Sequence, residues 1–288
     1  MIRGERPRAG PRAYNGAMRI RSAGHAVFAA TMMGLGIMGL AKGALSPIWD
    51  PLPKGVPARE ALVYLCAGIS LGCGIGILWR RTAGLAARVL LGCLLFWLLV
   101  FRLPYVIIAP GVDTSWSASE TAVMAAAAWV LYTWFATGWD KKRLGFAGAE
   151  NGRRIARVLY GLALIPFGVA HFVYLKHTAD MVPGWLPGHG FWAYFTGWAL
   201  IAGGVGVLLG VYARLAATLS AIEIGMFTLL VWGPVMAAGP KNPYQWSETV
   251  VSVALTAGAW VVADSYRGMR WMSARDTLRQ PIANAYGA

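Results

Sequence analysis

The sequence predicts an all-α, polytopic membrane protein, with eight transmembrane helices arranged as two parallel-repeat four-helix bundles. Three observations predict it. Apolar residues make up 57% of the 288 and charged residues 13%, whereas a soluble domain carries about 25% charged residues. Eight segments approach the ~20 apolar residues needed to cross the hydrocarbon of a bilayer. The sequence also aligns with itself at a shift of 130 residues, which sorts the eight segments into two sets of four.

Taken in order, residues 1–22 are basic, broken by Pro and Gly, and without an apolar period. They read as a disordered cytosolic tail. The apolar run 24–42 continues without the small-residue cleavage site that closes a signal peptide, so it reads as a retained first span. Spans 61–79, 85–108 and 120–138 complete a first unit over 23–140. Residues 141–153 form a basic cytosolic linker. A second unit, 154–266, holds spans 155–175, 191–210, 214–236 and 247–264, and residues 267–288 form a cytosolic C-terminal tail. Pro104, Pro166 and Pro234 fall inside spans, where membrane helices tolerate proline if neighbouring groups satisfy the freed carbonyls. Trp116, Trp139, Trp185, Tyr244 and Trp246 gather near span ends, as interfacial aromatic belts do.

The net charge of +14 does not point to nucleic acid. A nucleic-acid surface concentrates its Lys and Arg in one patch of a soluble domain, whereas here they alternate with apolar runs. With the N-terminus inside, 20 of the 26 basic residues fall on the cytosolic side. That bias predicts cytoplasmic N- and C-termini in a bacterial inner membrane, with the lipid bilayer as the main partner. Cys66, Cys73 and Cys93 lie in apolar runs without a C-x-x-C pair. Cys66 and Cys73 share a helix face but stand about 10 Å apart along it, too far for a disulfide. No metal site is expected: His25, His171, His177 and His189 include no pair at i, i+4 on one helix. No phosphate-binding glycine loop or catalytic triad appears either.

The repeat is gapless from about 45 to 127. Asp50, Pro53 and Pro57 fall on Asp180, Pro183 and Pro187; Pro104 and Pro110 fall on Pro234 and Pro240; Trp116-Ser117 falls on Trp246-Ser247. An even number of spans per unit inserts both the same way round, unlike the inverted repeats of many ion-coupled transporters. Glycines on the second span of each unit (Gly72, Gly74 and Gly76; Gly203, Gly204, Gly206 and Gly210) permit close helix approach.

The second unit carries more specific residues. Gly168-Val-Ala-His171-Phe172 is followed by Met181-Val-Pro-Gly-Trp-Leu-Pro187 and Tyr194-Phe-Thr-Gly197, then by the glycine stretch 203–210 and Arg214-Leu-Ala-Ala217. Together these resemble the DoxX-like family of bacterial membrane proteins over about 155–264, and reach the first half mainly through the repeat. The resemblance implies a four-helix membrane bundle and a place beside quinone-linked or thiol-linked redox systems, with a membrane or redox protein as partner and a quinone as cofactor. Two positions depart from the pattern. Relatives often carry an acidic residue where this chain has Leu200, and the first unit has Gly84 where the second has Arg214.

Charges inside spans are costly and are candidates for function by default. Glu223 stands about 13 Å into the seventh span, counting from Arg214, and is either a proton-exchanging acid or a hydrogen-bonded structural carboxyl. Arg102, in the third span, could pair with Glu120 or Asp113, bind an anionic group, or snorkel outward. His171 could hydrogen-bond a quinone carbonyl, shuttle a proton, or serve structure alone. The catalytic candidates are therefore Glu223, His171 and Arg102, expected to line one polar pocket; the cofactor-binding candidates are His171, Glu223 and Arg214. The repeat sets Ala41 opposite His171, Cys93 opposite Glu223 and Trp232 opposite Arg102, so any site is asymmetric. Two functions fit: a membrane component of a quinone-linked redox system, or a non-enzymatic transporter or assembly partner for another membrane protein.

Overall fold

A computed structural model of the protein describes residues 18, 20–52, 55–239 and 242–274. Residues 1–17, Arg19 and the chain from Arg275 onward, on which most of the tail readings rest, lie outside the described residues. Eight long helices occupy the eight expected segments: α1 Ala23–Lys42, α2 Arg59–Leu78, α3 Ala83–Ile108, α4 Val112–Phe135, α6 Ala149–Val173, α8 His189–Leu209, α9 Ala213–Ala237 and α10 Pro243–Asp264. Two short helices, α5 Gly138–Arg143 and α7 Leu175–Asp180, join them. Seven of the eight are long and apolar enough to cross a membrane, which makes this an integral membrane protein; α4 is long enough but less apolar.

The exception has a packing cause. Every residue of α4 from Ala118 to Tyr132 is buried by other helices, so this helix need not be greasy enough to face lipid. It is lined instead with alanine, which lets neighbours close in. By contrast, less than a quarter of the most apolar window of α9 is buried by protein. Its Leu219, Ile222 and Leu229 point outward, as lipid-facing side chains should. The helix begins at Val112 rather than 120 because its polar first turns (Asp113, Thr114, Ser115) hide it from an apolar search.

The eight helices form a closed ring in chain order, each packed on the next, with α10 returning to α1 and α4 crossing α10 through the middle. Neither half is a self-closed bundle: α4 packs against α6 of the second half rather than against α1. Local chemistry sets the helix ends. The Ser22 hydroxyl accepts from the His25 N–H at 3.0 Å, and the Asn242 side chain accepts from the Gln245 N–H at 2.9 Å, each satisfying an orphan donor of a first turn.

Pro104 and Pro234 leave a second mark. Proline lacks an N–H and crowds the carbonyl four residues earlier, and each helix widens into a π-turn just before it, at Leu98–Arg102 in α3 and Thr228–Trp232 in α9. The α-to-π boundaries stand 130 residues apart, as do the starts at Ala83 and Ala213. α6 and α8 pack backbone to backbone: a Cβ on Gly204 would sit 2.6 Å from the Gly161 carbonyl oxygen, and one on Gly197 3.0 Å from that of Gly168. Beyond α10, residues 267–274 fold back on the start of α9. The Tyr212 N–H donates to the Ser273 carbonyl at 2.9 Å, and the Arg214 guanidinium stacks on Trp271 at 3.9 Å.

Candidate functional site

A cavity of about 330 Å³ opens in the second half, at the end of the bundle opposite the starts of α1 and α6 and the end of α10. That volume lies within the range of small-molecule sites. Phe167, Leu200, Ile224, Phe227, Trp232 and Leu255 supply apolar wall; Asp113, His171, Tyr174, His177, Glu248 and Ser252 supply polar groups. Six helices contribute, and α4 lends Asp113 and Trp116 from the first half.

His171 is the best-defined polar group. Its Nδ1 lies 2.7 Å from the carbonyl oxygen of Phe167, one turn earlier on α6. A carbonyl can only accept, so Nδ1 carries the proton and donates. In a neutral ring, Nε2 is then left as an acceptor. The imidazole also packs at 5.5 Å on Phe227. At the mouth, the Tyr174 hydroxyl donates to Asp113 Oδ1 at 2.7 Å, tying α6 to α4. That bond favours the protonated phenol and raises the Tyr174 pKa. The Tyr244 hydroxyl stands 3.5 Å from His177 Nε2. On the α4 side of the wall, the Trp116 indole donates to Glu120 Oε1 at 2.7 Å and meets Phe167 edge-on at 5.0 Å.

Of the four residues singled out in the sequence, His171 alone lines this cavity. Glu223 precedes the wall residue Ile224 but does not line the cavity, and its Oε1 is buried without a hydrogen-bond partner. Arg214 sits at the far end of α9 against Trp271 and Met269. Arg102 is buried in the first half, where it donates from Nε to Thr121 Oγ1 at 3.2 Å and from its two terminal nitrogens to the Pro51 and Asp50 carbonyls at 2.6 Å. Among the described residues it makes no ion pair with Glu120 or Asp113, and it does not snorkel. Three carbonyl and hydroxyl acceptors inside the fold satisfy its donors better than the interface could.

Sequence reasoning missed Glu248, Ser252 and Tyr244 as cavity residues. They stand four residues apart on one helical face of α10, a pattern that a search for isolated intramembrane charges overlooks. Among the described residues, no group of three or more His, Cys, Asp and Glu is placed to hold a metal, and Cys66, Cys73 and Cys93 are free thiols.

The fold and cavity define a helical integral membrane protein with an aromatic-walled, partly polar chamber in its second half. Residues 152–233 match the family model described as DoxX. This DoxX-like segment spans α6, α7, α8 and most of α9, and carries His171, while the walls given by α4 and α10 lie outside it. No curated protein and no solved structure shows significant similarity to the chain.

Proposed function

We propose that the protein is a membrane component of a quinone-linked redox system and that the cavity around His171 receives the reduced headgroup of a membrane quinol. The observation that carries this reading is the hydrogen bond of His171 Nδ1 to Phe167, which leaves Nε2 as the acceptor of a residue lining a chamber walled by aromatic rings. A hydroxyl-bearing aromatic ring fits such a site: its faces meet Phe227 and Trp232, and its O–H meets the imidazole. A bound quinol that hands its two electrons to a partner redox protein releases two protons and leaves as the quinone. His171 can hold one proton at Nε2 and Glu248 another at its carboxylate, and the Tyr174–Asp113 bond ties α6 to α4 beside them.

The chain arose by parallel duplication of a four-helix unit, supported by the 130-residue offset of the π-turns. It resides in a bacterial inner membrane. Both termini face the cytosol, supported by the basic bias, so the cavity opens on the outer side. A redox protein on that side is the partner.

Titrating purified protein with short-chain quinol analogues by calorimetry tests the reading. Saturable binding is expected, weakened about tenfold by His171→Ala, the size of one lost hydrogen bond to a ligand. Absence of saturable binding to the unaltered protein removes the proposal.

A further inference from the structure

Among the described residues, the position in the first half corresponding to the His171 cavity is filled by the chain itself, and what stands there is informative. Leu200, Phe227 and Trp232 line the cavity; 130 residues earlier stand Ser70, Trp97 and Arg102. All three of those side chains hold a single piece of loop. The Trp49 indole donates to Ser70 Oγ at 3.1 Å and packs edge-on against Trp97 at 5.2 Å. The Trp97 indole in turn donates to the Trp49 carbonyl at 3.1 Å, and Arg102 grips the next two carbonyls, of Asp50 and Pro51. Ile48 and Trp49 are each only 1% exposed.

The second half treats the same connection differently. Between α6 and α8 the chain forms α7, none of whose residues is buried. The connection therefore borders the chamber through His177, Thr178 and Met181 without filling it, and the chamber stays open. In the first half the loop enters and fills it.

We propose that the segment 48–51 is a built-in occupant of the first half's chamber, leaving one ligand site per chain, and that the Trp49 indole displays the class of ligand that site takes: a flat, bicyclic aromatic ring bearing a hydrogen-bond donor. The inference rests on the cavity being a binding site and narrows it from aromatic headgroups in general to fused two-ring ones. The ring faces the same wall positions in both halves. The donor meets Ser70 in the first half and the acceptor Nε2 of His171 in the second.

Calorimetric titration of the full-length wild-type protein in detergent with 2-naphthol, 2-methoxynaphthalene and phenol tests this without any variant. One equivalent of 2-naphthol is expected to bind at least about tenfold more tightly than either the donor-less ether or the single-ring phenol. Equal binding of phenol and 2-naphthol overturns the bicyclic class while leaving the cavity as a binding site. Failure of all three, with quinol analogues also failing, removes the cavity reading itself. In Trp49→Gly, a second equivalent of 2-naphthol is expected, whereas Trp49→Phe, which keeps the chamber filled, retains one. A folded Trp49→Gly protein that still takes one equivalent overturns the built-in occupant.

Discussion

The imidazole of His171 donates to the carbonyl oxygen of Phe167 at 2.7 Å, one helical turn before it on α6. The bond spends the Nδ1 proton inside the helix and leaves Nε2 as the acceptor nitrogen of a ring that lines the cavity. His171→Gln is therefore expected to keep the fold, with a melting temperature within a few degrees of wild type, because a polar side chain of similar size takes its place on the cavity wall without a void or an added charge. Its affinity for quinol analogues is expected to fall about three- to tenfold, since the amide lacks the helix-anchored orientation. Circular dichroism melting and calorimetry measure the two quantities on the same sample.

Arg102 predicts the reverse pattern. Its guanidinium is 3% exposed and satisfies acceptors on Thr121, Pro51 and Asp50. Removing it strands those acceptors in a dry interior, at about 1–3 kcal/mol for each group left unsatisfied. Arg102→Ala is expected to destabilise the protein by about 3 kcal/mol or more. Arg102→Lys should rescue little, because one ammonium cannot reproduce the planar fork. Affinity for quinol analogues in whatever folded fraction remains should stay near wild type, since Arg102 does not line the cavity. A matched loss of affinity at unchanged stability would place Arg102 in the site after all.

These two residues also show how far the sequence was legible. Polarity inside an apolar run marks both, but the run alone cannot say which neighbours a side chain meets. His171 reaches the cavity because α6 turns it toward α9 and α10; Arg102 is captured by a loop that leaves α1 and enters the first half. That loop was unreadable, because a single turn such as Ser46–Asp50, closed by the Trp49 N–H on the Ser46 carbonyl, has no period to detect. The eight helices were legible to within a few residues at most ends, since lipid imposes a length and a composition on nearly all of them. The ends of α4 were read less well because it answers to protein neighbours instead. Glu248 went unnoticed because it lies one to two turns inside α10, where an acid reads as interfacial.

Gly204 offers a packing prediction with an internal control. A Cβ there would sit 2.6 Å from the Gly161 carbonyl oxygen, which belongs to backbone and cannot rotate away. Gly204→Val is expected to force α6 and α8 apart and destabilise the protein by about 2 kcal/mol, in the range of overpacked cores. Gly72, on the matching span of the first half, has open space around its missing Cβ. Gly72→Ala is expected to leave stability unchanged or raise it slightly, as helical Gly→Ala does elsewhere. Comparing the two by chemical unfolding in mixed micelles separates tight packing from mere glycine content.

Acid sensitivity is expected at the end of the bundle where α4 meets α5. The Asp140 side chain is fully buried and closes a capping box with Thr137, accepting from its N–H at 2.8 Å and its hydroxyl at 2.6 Å; Arg88 of α3 donates to its other oxygen at 2.8 Å. Burial pushes the carboxyl pKa up, but the bonds from Thr137 and then Arg88 outweigh it, and the pKa is held below its usual value. A depressed carboxyl pKa stabilises the fold at every pH above the unfolded value, about 3.9, and that contribution is lost as pH falls through the folded one. Wild-type stability is thus expected to be flat with respect to this group from neutral pH down to about 4, and to drop below it. Asp140→Asn keeps part of the cap but loses the charge, so its melting temperature should start lower at neutral pH and fall less steeply in acid. The two curves should converge below pH 4; parallel curves over that range would mean that Asp140 is not the group responsible.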